Sequence, residues 1–401
     1  MGKYDQHFLM TAQDAREYAV RVLGYFTDGE PLEAAEIGDG NINYVFQVRN
    51  PQTGRSVVIK QADKLLRSSG RPLDVYRNKI EAEILKIQGE LAPSFVPRVY
   101  RYDEAMCALS MEDISAYKNL RAQLGRGKTF PHLAENISTF LADTLLPTTD
   151  LVLDRAEKKD RVKLFVNKEL CDISEDLVFT EPYDDYKGRN IILPENQTFV
   201  EEFLYGDQLL KAEVGMLRDR FMNLGQALIH GDLHSGSIFA NEDGIKVIDP
   251  EFAFYGPMGY DVGNVIGNLF FAWANHLYTD RENEAFLAWI EDAIADTLDL
   301  FLEKFSSRYD ELVTFSLYRT EFFKANYLAD LLADSLGYAG TEIIRRVVGD
   351  SKVAEVTGVS DLKERIPMER SLIQLGITLI KNRYDYQSGE EIVRAFRLIT
   401  A

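Results

Sequence analysis

The sequence predicts an α+β protein in two parts: a small β-rich part with one long helix, and a larger, mainly helical part. Three observations lead there. Alternating Tyr44, Phe46 and Val48, the turn Asn50-Pro-Gln-Thr-Gly54 and the run Ser56-Val-Val-Ile-Lys60 read as a β-hairpin. Ile80, Ile84 and Ile87 then recur at helical spacing. Beyond Ile114 the patterning is helical almost to the end. At 401 residues the chain is long for a single core, and the change of pattern divides it into 1–113 and 114–401.

Composition narrows the function. A net charge of -19 leaves no general basic field, so neither nucleic acid nor a membrane is an expected partner. Cys107 and Cys171 stand far apart without metal-ligand spacing, which suits a reducing cytoplasm. The first residues lack an apolar signal core, and no apolar run is long enough to span a bilayer.

Taken in order, Thr11 caps an amphipathic helix. The hairpin carries Gly38-Asp-Gly40 at its mouth and Lys60 on the returning strand. A glycine-bearing loop lets backbone amides approach phosphate, and a nearby lysine can reach phosphate oxygens. A helix over 72–88 follows. Glu81 beside Ile80 is the candidate partner of Lys60, with Glu83 as the alternative. Strands at Val96–Tyr102 and Ala108–Ile114 end at Met111-Glu112-Asp113, a backbone edge suited to an adenine ring. Helices are expected over Phe130–Leu146 and within Asp150–Cys171. Thr180–Asn190 reads as a surface insertion, and Phe199–Leu228 as a helix interrupted at Gly206.

The stretch Ala227–Asn241, followed by Gly244–Glu251, organises the rest. It holds Asp232 and Asp249 a hairpin's length apart. Phosphoryl transfer needs one carboxylate beside the acceptor hydroxyl and another holding the metal that shields the phosphates. Asp261 opens an apolar helix, either as its N-cap or as a brace for the Asp232 loop. Arg345 and Arg346 are adjacent between apolar pairs, so at least one must face something polar inside. Both read as inward clamps for phosphate or sugar. Phe252, Phe254, Tyr255 and Trp273 could line an apolar slot.

This order resembles the protein-kinase-like fold, in the branch of small-molecule kinases that includes aminoglycoside and choline kinases. His230-Gly-Asp-Leu-His234 is similar to that branch's catalytic loop. Five segments resemble the methylthioribose kinase family, over essentially the whole chain: Asp39–Phe46, Met111–Ser115, His230–Ser237, Asp249–Pro257 and the pair Arg345-Arg346. The resemblance implies a bilobal fold, with a nucleotide-binding lobe over 1–113 and a catalytic, substrate-binding lobe over 114–401. It implies transfer of the ATP γ-phosphate to the 1-hydroxyl of S-methyl-5-thioribose in methionine salvage. Asp232 would be catalytic. Asn43, Lys60, Met111, Glu112, Asp113, Asp249, Pro250 and Glu251 would contact ATP, and Asp249 and Glu251 would hold Mg²⁺. Arg345 and Arg346, with Asp232, would bind the sugar, Glu81 and Asp261 would support the site, and the protein would be a homodimer. Ser237 stands where most relatives of the wider fold place a metal-binding asparagine, and Glu251 stands at the glycine of the D-F-G motif. This leaves the number of metal ions open. The alternatives are a kinase for an aminoglycoside, choline or homoserine, and a nucleotide-binding pseudokinase. Twin arginines argue against a cationic acceptor, and the presence of Lys60, Asp232 and Asp249 argues against a pseudokinase.

Overall fold

Alternation along adjacent strands explains how a lysine comes to be buried in the first part of the chain. The structure, a computed structural model, describes residues 2–37, 43–65 and 73–401. The loop Gly38–Asn41 and Pro72 lie outside the described residues. The chain forms two units, Met1–Tyr117 with Lys246–Ala253, and Lys118–Ile245 with Phe254–Ala401. The sequence division at Asp113 lacks the return of Lys246–Ala253, because a short strand and turn carry no compositional signal.

In the first unit, α1 (Ala12–Arg21) starts with a capping box between Thr11 and Asp14. Then come β1 (Glu33–Glu36), β2 (Asn43–Arg49), β3 (Ser56–Ala62), α2 (Tyr76–Leu91), β4 (Val99–Asp103) and β5 (Ala108–Glu112). The strands form one antiparallel sheet in the order β1-β2-β3-β5-β4. The sequence reading missed β1, a polar and mostly exposed edge. Central β3 pairs on both sides, with Lys60 opposite Val45 and Leu109. Successive side chains point to opposite faces. Val57 and Ile59 therefore enter a core with Tyr18, Phe26 and Phe46, while Lys60 meets α2 on the other face. Within α2, Ile80 and Ile84 are buried and Ile87 is half-buried.

The second unit opens with β6 (Lys118–Asn119) and α3 (Leu120–Leu124), then α4 (Leu133–Leu145), α5 (Arg155–Leu164) and α6 (Lys168–Leu177). Next come α7 (Glu181–Asp184), α8 (Gln197–Val200), a π-type turn over Glu201–Tyr205 and, after Gly206, α9 (Gln208–Asn223). The expected surface insertion Thr180–Asn190 is exposed at Asp184 and Tyr186–Gly188 but packed at its start. Glu181 and Tyr183 are buried, and Arg189 holds the Glu181 carboxylate with its Nε at 2.8 Å. The expected long helix ends at Asn223, and Ala227–Leu228 belong to strand β7 (Ala227–Ile229). Strand β8 (Ile238–Ala240) pairs with β6, and β9 (Ile245–Val247) leads into the first unit. Strand β10 (Phe254–Gly256) pairs with β7.

Helices α10 (Gly259–Thr279), α11 (Glu284–Leu312), α12 (Glu321–Val348), α13 (Ala354–Thr357), α14 (Leu362–Lys381) and α15 (Gly389–Thr400) complete the unit. Helices α10 and α12 pack backbone to backbone: a Cβ on Gly263 would lie 2.5 Å from the Ala339 amide nitrogen. That contact fixes α12, which carries Arg345 and Arg346. Trp273 on α10 stacks on Phe270 (5.7 Å) and meets Phe396 edge-on (4.8 Å). It is core, which removes it from the candidate apolar slot. The chain is α+β, as expected from its pattern. No helix among the described residues is long and apolar enough to cross a membrane.

Candidate active site

Apart from Met111, Glu112 and Asp113 at the end of β5, the expected site residues fall into two clusters, one in each unit. In the first unit, Lys60 Nζ lies 2.8 Å from Glu81 and also pairs with Asp249. Glu83 pairs with Lys86 on the surface, so Glu81 is the partner. Burial alone would lower the Lys60 pKa, but Asp249, Glu81 and Glu251 outweigh it and keep the ammonium protonated. Burial pushes the Glu81 and Glu251 carboxyls up. Oxygen atoms of Glu81, Asp249 and Glu251 all lie within 4.8 Å of one another. Hard oxygen donors at this spacing suit a small divalent cation.

Asn43 donates to Glu251 Oε2 at 3.2 Å, and Arg77 Nε sits 3.3 Å from the same oxygen. Arg77 Nη2 also donates to Asn43 Oδ1 at 3.0 Å. The sequence reading missed Arg77, which is 2 % exposed; among the other charges of this helix (Lys79, Glu81, Glu83, Lys86 and Glu90) nothing local singles it out. Asp249 has φ +70°, an unfavourable conformation for a non-glycine residue and one that concentrates at functional sites. The Pro250 carbonyl accepts from the Ala253 amide at 3.1 Å and closes the turn after it.

Met111, Glu112 and Asp113 end β5. The Glu112 amide donates to the Arg98 carbonyl at 2.8 Å, so a base would have to be read by other backbone groups here. The Asp113 carboxylate accepts from Gln47 (2.8 Å) and from the Ser115 amide (2.9 Å).

The second cluster surrounds Asp232. Gly231 takes φ +81° and lets the loop turn sharply after β7. Asp261 accepts from the His230 amide (2.6 Å) and the Gly231 amide (3.0 Å). Helix α10 begins at Gly259, so Asp261 lies inside its first turn and braces the loop without capping the helix. Arg345 Nη2 donates to Asp232 Oδ1 at 3.2 Å, and Arg346 Nη2 is 3.6 Å from the same oxygen. Both arginines are buried. Burial would raise the Asp232 pKa, but the cationic surroundings win and hold it well below the usual carboxylate range.

Glu342, fully buried, pairs with Arg345 and accepts from Arg346 Nε at 3.0 Å. It sits three and four residues before the arginines, a helical spacing from which it was readable. His234 Nδ1 accepts from the Ser237 amide at 3.1 Å, which puts the ring proton on Nε2, 3.5 Å from Asp232 Oδ2. Burial lowers the His234 pKa to about 4. The Ser237 hydroxyl donates back to the Asp232 carbonyl at 3.2 Å, so it serves the loop itself.

Residues 167–297 match the family described as "Phosphotransferase enzyme family", a span that includes Asp232, Asp249 and Asp261. The methylthioribose kinase of Geobacillus sp. (strain WCH70) is 38% identical over 390 residues, covering 96% of this chain and 95% of its own. That of Bacillus cereus (strain ZK / E33L) is 36% identical over 401 residues, covering 100% and 97%. Among solved structures, a Plasmodium vivax ethanolamine kinase matches with a TM-score of 0.49 at 12% identity, covering 95% of this chain and 91% of its own. A choline kinase from Cryptosporidium parvum matches with 0.49 at 15%, covering 91% and 99%. Identity above one third, sustained along nearly the full length of both chains, means that the chain belongs to the methylthioribose kinase family.

Proposed function

We propose that this protein transfers the γ-phosphoryl group of ATP to the 1-hydroxyl of S-methyl-5-thio-D-ribose, giving the 1-phosphate. The observation that carries the reading is Asp232 held by two buried arginines from adjacent helix positions. Such a pocket disfavours a cationic acceptor such as choline or an aminoglycoside. It suits a neutral sugar that becomes an anion as it is phosphorylated. Methylthioribose kinases to which it is similar act, by name, on that sugar.

Asp232 is ionised at neutral pH. It orients the acceptor hydroxyl and takes its proton as the oxygen gives up charge to phosphorus. Arg345 and Arg346 draw negative charge toward the same carboxylate's neighbourhood. In the first unit, Lys60 and Asn43 contact phosphate oxygens, and backbone at Met111, Glu112 and Asp113 holds the base. Asp249 and Glu251 hold Mg²⁺, with Pro250 fixing the turn between them, and Glu81 remains the partner of Lys60. When bound, the ion neutralises charge on the β- and γ-phosphates. The reading also carries a homodimer, a cytoplasmic setting and a place in methionine salvage; these rest on the family resemblance.

The test is ATP consumption with Mg²⁺ and, in turn, 5-methylthioribose, ribose, choline, homoserine and kanamycin. Turnover on 5-methylthioribose alone is expected. Asp232→Ala should lower kcat by about 10²- to 10⁴-fold with little change in the KM for ATP. Turnover on another acceptor and none on methylthioribose would overturn the reading.

A further inference from the structure

We infer that Arg121, on α3, is a positioning residue for the Asp232 loop: it ties that loop to the helix that carries the twin arginines. The inference rests on the proposed role of Asp232.

The geometry forms a closed circuit within the second unit. The Arg121 amide donates to the Ser235 carbonyl at 3.1 Å, and its Nε donates to Ser235 Oγ at 3.2 Å. Its neighbour Asn119 donates to the Gly236 carbonyl at 2.8 Å. Arg121 thus grips the segment just past Asp232 by both backbone and side chain. Its Nη2 reaches onward to Asn268 Oδ1 at 2.9 Å, an oxygen that also accepts from Ser235 Oγ at 3.1 Å. Asn268, buried on α10, donates through Nδ2 to Glu342 Oε1 at 3.0 Å. Glu342 holds Arg345 and Arg346, and these hold Asp232. From Asp232 the circuit runs through the arginines, Glu342, Asn268 and Arg121 to Ser235, three residues from its start.

Charge supports the same reading. Arg121 also pairs with Glu355 at 3.4 Å, and Glu355 is only 5 % exposed. Arg121, Arg345 and Arg346 then balance Asp232, Glu342 and Glu355. A planar guanidinium can meet Ser235, Asn268 and Glu355 at once, which a point-charge ammonium cannot. Space around Gly236 is as tight: a Cβ there would lie 2.9 Å from the His234 ring and 3.3 Å from Arg121 Nη1. The glycine lets the arginine and the histidine close on the loop together. Arg121 and Glu355 also line a cavity of about 620 Å³, which gives small solutes access to the arginine.

A positioning role predicts a loss in turnover rather than in nucleotide affinity, because small displacements of a reacting group cost up to about 100-fold in rate. With methylthioribose as acceptor, Arg121→Ala should lower kcat by about 10- to 100-fold and leave the KM for ATP within about twofold. Guanidinium at sub-denaturing concentration should restore part of that kcat and restore nothing to Asp232→Ala. Arg121→Lys, which keeps a charge beside Glu355, should fold normally yet stay slow. A kcat within about twofold of the parent overturns the inference, as does a loss that guanidinium does not repair. A second measurement needs no acceptor, so it separates this inference from the proposed reaction. Because the Arg121 charge itself helps lower the His234 pKa, the informative variant is Arg121→Lys, which keeps that charge: imidazole NMR titration should show the His234 pKa rising from about 4 toward the ordinary histidine range there, as the loop loosens and admits water. An unmoved His234 would overturn the inference even if the acceptor proved to be another sugar.

Discussion

The two clusters are built from the same kinds of group and differ in charge balance. Around Asp249, the cations Lys60 and Arg77 face the carboxylates of Glu81, Asp249 and Glu251. Around Asp232, Arg345 and Arg346 face Asp232 and Glu342. With every carboxyl ionised, the first is short by one positive charge, and the second is neutral without outside help. A cluster with surplus carboxylates invites a metal ion. A neutral one is already organised for charge that appears during reaction, and needs no rearrangement when it does.

Removing one cation from each cluster is the strongest challenge to that contrast. Lys60→Met leaves three carboxylates against Arg77 alone, with Glu81 buried and unpaired. We expect it to cost about 3–5 kcal/mol of stability in urea unfolding. Arg345→Met leaves Arg346 to face both Glu342 and Asp232 and should cost less than Lys60→Met. Equal losses would mean that the charge balance does not distinguish the clusters.

Acid sharpens the comparison from the other side. His234 has a folded pKa of about 4, below its ordinary 6.5, because it is buried. The folded state therefore binds fewer protons than the unfolded state between those values. The stabilisation from neutral His234 is complete above about pH 6.5 and is lost as pH falls toward 4. At pH 5 the loss should reach about 2 kcal/mol at most. His234→Gln should remove it, as the difference between urea midpoints at pH 7.5 and pH 5 in variant and parent. The same pH dependence in both proteins would sink this assignment.

The smallest effect is the one that only the acidic cluster should show. At tenfold excess over its dissociation constant, Mg²⁺ should add about 1.4 kcal/mol to the stability of the parent. Asp249→Asn with Glu251→Gln should lose that gain, whereas Arg345→Met should keep it. Stabilisation by Mg²⁺ that survives the double substitution would place the ion elsewhere.

Local patterning carried much of this into view. The alternation at Tyr44–Val48 and the Ile80–Ile84 spacing predicted their elements, and Arg345 beside Arg346 predicted an inward cation on α12. What escaped was long-range. Arg77 reaches Glu251, and Arg121 reaches Asn268 and Glu355, across stretches that no local period connects. Glu181–Tyr183 misled for the opposite reason. Its polar, proline-bearing text reads as exposed loop, but Arg189 neutralises Glu181 and the segment can be buried. The ion pair, not composition, decides where it lies.

The return of Lys246–Ala253 to the first unit bears on how the protein is made. A ribosome that has released the first 117 residues has released the whole five-stranded sheet, but neither Asp249 nor Glu251. Lys60 then has Glu81 but lacks Asp249, and Arg77 and Asn43 lack Glu251. More than half of the chain must emerge before this unit can close. Its final assembly waits on translation of the second unit's first stretch, although domains commonly fold in the order they are synthesised. A truncated N-terminal fragment would accordingly be an unfinished protein, not a small stable one.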